Sequence, residues 1–114
     1  MNAAAVTMRT PLIVGEATGA VGRLSVCAGF ERDAPCYGCL APQIGSTVGC
    51  GAAPLGNVTA GFIGTLLATE AIKTVLHLRP SSGGRLVTFD ALTGAVHDEP
   101  VVKDPRCAVC GGLA

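Results

Sequence analysis

Short segments in which polar and apolar residues alternate predict β-strands near both ends of the chain. Near the N-terminus, the apolar run Pro11–Val14 and the alternating segment Gly22–Ala28 form one predicted pair. Toward the C-terminus, Gly84–Asp90 alternates in the same way, and Ala95–Val102 returns after a Thr-Gly turn as its antiparallel partner. The pattern therefore predicts two strand pairs that are separated by a long intervening segment.

A helical period replaces the alternation between the two strand pairs. The predicted helix begins at Asn57, the expected N-cap, continues to Leu78 and is stopped by Pro80. Its predicted buried face consists of Val58, Phe62, Leu66, Leu67, Ala71, Val75 and Leu78. Gly61 and Gly64 each cost a helix about 1 kcal/mol relative to Ala, so we expect a neighbouring element to press closely against them.

A long segment without any period precedes this helix. Residues Leu40–Gly56 contain two prolines and four glycines and predict a loop, of a length that compact domains rarely use without a function. Within the helix, the apolar run Val58–Ala68 is too short for a membrane span, which needs about 20 apolar residues, and Glu70 follows it. We therefore expect a buried helix and no membrane partner.

Composition narrows the class of protein. The 114 residues suit one domain, with residues 1–10 as an N-terminal tail and residues 11–114 as the folded unit. With 49% hydrophobic and 14% charged residues, the chain is not of the disordered class. Eight Lys and Arg balance eight Asp and Glu, which disfavours a nucleic-acid partner. The N-terminus lacks the apolar core of a secretory signal, so we expect a cytoplasmic protein with reduced thiols.

Four of the six cysteines form two Cys-x-x-Cys pairs, Cys36/Cys39 and Cys107/Cys110. Both thiolates of such a pair can reach one ion from a tight turn, and two pairs complete a tetrahedral sulfur site. Zinc is the expected metal, while an iron–sulfur cluster or redox-active dithiols would use the same residues. Four sulfur ligands leave no open position for water or substrate, which predicts a structural role. Because residues 40–106 separate the pairs, the metal would tie the first strand pair to the end of the chain.

The two remaining cysteines differ in their surroundings. Cys27 lies in a predicted strand and is expected to be a small buried side chain. Cys50 lies in the long loop between Gly49 and Gly51, where a thiol would be accessible. The residues around Cys50 slightly favour an incidental loop cysteine over a reactive one.

Several segments follow one another in a distinctive order: Pro35-Cys-Tyr-Gly-Cys-Leu-Ala-Pro42, a loop cysteine, Asn57–Lys73, Gly84–Gly94 and Cys107–Gly111. Their order and spacing resemble the C-terminal half of the ThiF/MoeB/HesA family, the bacterial relatives of ubiquitin-activating enzymes. The strand pair from Pro11 onward resembles the strands that precede the zinc ligands in that family. The resemblance covers nearly the whole chain.

The resemblance implies a fold, an activity and site residues. The fold is the C-terminal portion of an α/β, ubiquitin-activating-enzyme-like mixed sheet, with antiparallel strand pairs, one long helix and a four-cysteine zinc site. Family members use ATP and magnesium to adenylate the C-terminal glycine of a ubiquitin-like sulfur carrier, for thiamine or molybdopterin synthesis, and are commonly dimers. Cys36, Cys39, Cys107 and Cys110 match the zinc ligands. Cys50 falls where ThiF-like members carry a loop cysteine that links to the carrier or takes part in sulfur transfer, which makes it the candidate catalytic residue.

The nucleotide site of that family is not recognisable in this sequence. It uses a strand, a Gly-x-Gly-x-x-Gly turn and a helix, whereas here Gly49-Cys-Gly51 is followed by Pro54 in the third glycine position. We therefore expect the N-terminal nucleotide-binding half to be absent and the chain to be inactive alone, as a relic, half of a split enzyme or the last domain of a longer product. The expected partners are a sulfur carrier and a separate nucleotide-binding half or a second copy of the chain. The alternative is a non-catalytic, zinc-stabilised module that binds a carrier.

Overall fold

The computed structural model describes residues 1–44, 54–78 and 84–112, which build a four-stranded sheet with helices on both faces. The elements follow in the order α1 (Asn2–Thr7), β1 (Leu12–Thr18), β2 (Val21–Cys27), α2 (Tyr37–Ile44), α3 (Gly56–Val75), β3 (Arg85–Asp90) and β4 (Ala95–Pro100).

The sheet is an antiparallel meander in the order β1-β2-β3-β4. Both predicted strand pairs are confirmed, and β2 joins them because Leu24 lies opposite Val87 of β3. The first strand continues through Gly15 to Thr18, beyond its predicted end. Within the described ranges, every strand pairing is antiparallel, so the parallel pairings of the implied mixed sheet are not among them.

Helix α3 packs across β1 and β2 with a face that coincides only in part with the predicted one, since the predicted Leu67 lies against β1. Thr59 and Ile63 are the buried residues of the helix, whereas the predicted Val58 and Val75 are exposed. The helix lies close to the sheet because Gly22 has no side chain there: a Cβ at this position would overlap Ile63 and lie 3.1 Å from Thr59 Cγ2. The small residue that permits close packing therefore lies in the sheet.

The predicted role of the helix glycines is wrong for the described part of the chain. A Cβ added at Gly61 or Gly64 would meet no atom within 4 Å, because both glycines lie on the exposed side of α3. The N-cap prediction is also wrong. The helix begins at Gly56 after Leu55, whose carbonyl accepts hydrogen bonds from the N–H and the Oγ1 of Thr59, each at 2.9 Å.

The other end of α3 also departs from the prediction. The helix ends at Val75, and the chain then turns at His77, which has a positive φ of 51°. Pro80, the predicted stop, lies outside the described residues. The helix therefore ends at Val75, five residues before Pro80.

The outward side of α3 is apolar. Val58, Ile72 and Val75 are exposed on the helix, and Leu76 and Leu78 follow them. In the described part of the chain, α3 is long and apolar enough to cross a membrane by length and composition, although one of its faces lies on the sheet. The expectation of a buried helix is therefore confirmed for one face only.

The opposite face of the sheet is covered by α2. Leu40 packs with Cys27, Leu86 and Val101 in one buried cluster, and Ile44 lies against it. The predicted loop is therefore wrong in its first part, since Leu40–Ile44 is helical despite Pro42. Its central part, residues 45–53, lies outside the described residues.

Candidate metal centre

Two tight turns carry the four cysteines of the predicted metal site. Cys36 directly precedes α2, and its carbonyl accepts hydrogen bonds from the N–H of Cys39 at 3.0 Å and of Leu40 at 3.2 Å. The second turn is closed in the same way, because the carbonyl of Cys107 accepts from the N–H of Gly111 at 2.8 Å. Each turn directs its two thiols toward the other turn.

The four sulfur atoms converge as the sequence predicted. All four lie within 4.8 Å of one another, with Cys36 Sγ 3.6 Å from Cys107 Sγ and Cys39 Sγ 3.5 Å from Cys110 Sγ. A zinc ion about 2.3 Å from each of four tetrahedral sulfurs would separate them by about 3.8 Å. The cluster therefore has the size and the donor set for one tetrahedral metal ion.

The distances also bear on the two alternatives for these residues. The closest pairs run between the two turns, at distances well above the roughly 2.05 Å of a disulfide, so the cysteines are free thiols here. An iron–sulfur cluster places several ions between its cysteines and so needs wider spacing than a single ion. The compact arrangement favours a mononuclear site.

Burial and backbone donors act on the thiols in opposite directions. Burial raises the pKa of Cys39 and of Cys110 above the ordinary thiol value. The backbone N–H groups of Cys110 and Val109 lower the pKa of Cys107 to about 7. A cation among the sulfurs would favour all four thiolates, so metal binding is expected to release protons.

Helix α1 closes one side of the cluster, a contact that no sequence pattern predicts. Val6 packs into the buried group formed by Cys36, Cys39 and Cys110. Asn2 Nδ2 donates a hydrogen bond to Cys36 Sγ at 3.4 Å. No local pattern signals this contact, since the two residues are 34 positions apart. Residues of the predicted N-terminal tail thus contact the metal centre.

The structure describes only one of the two remaining cysteines. Cys27 is buried in β2, as predicted, and burial raises the pKa of its thiol to about 11, which makes it unreactive near neutral pH. Cys50, the predicted catalytic residue, lies outside the described residues. It therefore stays a prediction.

A groove of about 640 Å³ lies along the outer edge of β1. Apolar side chains, among them Leu12, Val14 and Ile44, line it, and Tyr37 stands at its rim. Its polar end holds the ion pair between Arg23 and Glu16, with 2.9 Å between Nη1 and Oε1. The groove has room for an extended apolar segment.

Comparison with known proteins yields a consistent set of matches. The model of the ThiF family matches residues 1–109. The molybdopterin-synthase adenylyltransferase of Salmonella typhimurium is 34% identical over 112 residues, covering 97% of this chain and 45% of that protein. The sulfur carrier protein adenylyltransferase of Thermus thermophilus is 32% identical over 120 residues, covering 97% of this chain and 43% of that protein.

A solved structure shares the fold. The crystal structure of E. coli MccB superposes with a TM-score of 0.68 at 17% sequence identity, covering 99% of this chain and 36% of that one. The chain therefore spans less than half the length of these relatives.

Proposed function

The chain belongs to the ThiF family, and from this membership we propose that it is the C-terminal portion of an ATP-dependent adenylyltransferase that activates a ubiquitin-like sulfur carrier. The observation that carries the proposal is the match of the family model to residues 1–109, together with relatives named for adenylation of molybdopterin synthase and of a sulfur carrier. The bond to be made joins the carrier's C-terminal carboxylate to AMP and releases pyrophosphate from ATP.

The metal proposed for this portion is zinc. Cys36, Cys39, Cys107 and Cys110 would hold it, and their all-sulfur donor set leaves no position for a reacting water. Bound there, the ion would supply a cross-link and no acid–base chemistry. The chain's own residues do the positioning, because the two turns bring the four sulfur atoms within 4.8 Å of one another.

The nucleotide-binding part is proposed to come from outside the described fold. In the described ranges, β1 has no strand along its outer edge, which leaves its backbone groups open to pairing. Helix α3 packs on β1 and β2, and its side that faces away from the sheet is apolar. A helix that is apolar on nearly every side is typical of the interior of a larger protein. We propose that the nucleotide-binding half covers both features.

Pyrophosphate exchange tests whether adenylation requires a separate nucleotide-binding half. The chain is incubated with ATP, magnesium and a sulfur carrier that ends in Gly-Gly, with labelled pyrophosphate. We expect no exchange into ATP from the chain alone, and exchange once a nucleotide-binding half of the family is added. Exchange by the chain alone would contradict the proposal, as would a completed assembly whose rate does not depend on this chain.

Cys50 is the proposed nucleophile toward the activated carrier. Its sulfur would attack the carbonyl carbon of the acyl-adenylate, forming a thioester while the bond to AMP breaks and the thiol proton passes to a base. Residues 47–55 contain no Lys, Arg or His, so a base would have to come from another segment. In the completed assembly, Cys50→Ala is expected to abolish the thioester seen by mass spectrometry while pyrophosphate exchange continues.

A second function is favoured by the groove beside β1. Its apolar lining and its polar end suit a carrier segment that binds without being activated. In this case the carrier would bind the isolated chain, Tyr37→Ala would weaken binding about fivefold, and Cys50→Ala would have no effect. Calorimetric titration of the carrier into the unaltered chain and into each of the two variants separates this function from the enzymatic one.

A further inference from the structure

The side chain of Asn2 makes two hydrogen bonds to the turn that carries the first cysteine pair. Its Nδ2 donates to Cys36 Sγ at 3.4 Å, and its Oδ1 accepts from the backbone N–H of Tyr37 at 3.1 Å. Tyr37 is the first residue of α2, so its N–H has no acceptor within the helix. One amide thus satisfies the start of α2 and contacts the sulfur beside it.

We propose that Asn2 is a positioning residue of the metal centre, which holds Cys36 in its ligand orientation and slows loss of the metal. This inference rests on the proposed metal site. A hydrogen bond to a coordinating thiolate offsets part of the repulsion among four negative sulfurs around one ion, and it restrains the sulfur in its ligand position. Outer hydrogen-bond partners of metal ligands typically change metal affinity by about 10- to 100-fold.

Helix α1 is anchored well enough for Asn2 to act in this way. Val6, one turn further along the helix, is buried against the cysteine cluster. The chain then turns at Arg9, whose guanidinium lies 5.6 Å from the centre of the Phe30 ring, and Phe30 packs on the same cluster. Because α1 is held by both contacts, the Asn2 amide is oriented before a metal arrives.

Asn2 differs from the other groups that donate to these sulfurs. Cys39 Sγ accepts from the backbone N–H of Asp104 at 3.4 Å, and Cys107 accepts from backbone N–H groups of its own turn. Those donors persist whatever side chain is present. The Asn2 donor is a side-chain amide, so it can be removed by substitution without altering the ligands.

The test uses the full zinc-loaded chain and three variants. Asn2→Ala removes both hydrogen bonds. Asn2→Asp keeps an oxygen for the Tyr37 N–H but replaces the donor to sulfur with a carboxylate. Thr7→Ala is the matched control, because Thr7 is exposed on the same helix and its substitution keeps both bonds and the Val6 contact. The first readout is the rate at which zinc passes to a chromophoric chelator in excess. The second is the sulfur-to-metal charge-transfer band of the cobalt(II)-substituted protein.

We expect Asn2→Ala and Asn2→Asp to release zinc about tenfold faster than the unaltered chain and to shift the charge-transfer band. Thr7→Ala should match the unaltered chain in both the release rate and the position of the band. The positioning role would be overturned if Asn2→Asp released zinc at the same rate as the unaltered chain. It would also be overturned if neither Asn2 variant shifted the charge-transfer band. Both results would leave the metal site itself intact. A chain that binds no zinc or cobalt would instead overturn the metal site, and the inference with it.

Discussion

The Sγ atoms of Cys36 and Cys107 lie 3.6 Å apart, although the two residues are 71 positions apart in the sequence. The first directly precedes α2 and the second lies in the turn after β4. The free energy of closing a loop rises only slowly with its length, so one ion can join such distant segments at modest cost. The metal centre is therefore expected to restrain the whole C-terminal segment.

Removal of the metal is expected to lower the melting temperature by about 10 °C. An ion present at 100 times its Kd stabilises the folded state by about 2.7 kcal/mol, and each kcal/mol corresponds to several degrees in a domain of this size. Thermal unfolding followed by circular dichroism, before and after treatment with a chelator, measures the shift. Adding zinc back should restore the original value.

Two buried cysteines provide a matched pair for the same site. Cys110→Ser removes a ligand and is expected to abolish stoichiometric zinc binding, whereas Cys27→Ser removes a buried thiol that is not part of the cluster. Elemental analysis of the purified variants should find one ion per chain for Cys27→Ser only. One ion per chain in both would show that the four thiols do not act as one site.

The two faces of α3 predict opposite responses to the same substitution. Ile63 is 3% exposed and packs on the sheet, so Ile63→Ala should cost about 2–5 kcal/mol of unfolding free energy. Ile72 is 57% exposed on the same helix, so Ile72→Ala should change stability by less than about 1 kcal/mol. Urea denaturation of the isolated chain compares them. Similar losses for both would mean that the outward side of α3 is already covered, for instance by a second copy.

Glycine-to-alanine substitutions should differ in sign between the sheet and the helix. Gly22→Ala forces a methyl group into Ile63 and should destabilise the fold by about 1–3 kcal/mol. Gly61→Ala meets open space in the helix and should stabilise the isolated chain by about 1 kcal/mol. The same denaturation curves test both. If a nucleotide-binding half packs on α3, Gly61→Ala should also weaken its association.

The buried thiol of Cys27 predicts a loss of stability at alkaline pH. Its pKa is about 11 in the folded chain against an ordinary value of 9.0, so between these values the folded state keeps a proton that the unfolded state loses. Rising pH therefore favours unfolding from about pH 9 to about pH 11, and below pH 9 this thiol has no effect. Urea midpoints across this range should fall less steeply for Cys27→Ala than for the unaltered chain. Parallel slopes would contradict the assignment.

Strands and metal ligands were predictable because their signals are local. A strand shows its alternation within a few residues, and a turn that offers two thiols to one ion has a fixed short spacing, as in Cys36 and Cys39. The later part of α2, Leu40–Ile44, could not be recognised in the same way, since Pro42 and the glycines that follow predict a loop. Its helical structure depends on Leu40 entering the buried cluster with Cys27 and Leu86.

By itself, the sequence determined the two antiparallel strand pairs, the long helix and the two thiol pairs that meet. Only the tertiary structure decided which face of α3 is buried, because that helix is apolar on nearly every side and its orientation depends on the space left above Gly22. The contact of Asn2 with Cys36 also depends on the tertiary structure. No local sequence pattern predicts a hydrogen bond between residues far apart in the chain, because the bond forms only when packing brings separate elements together.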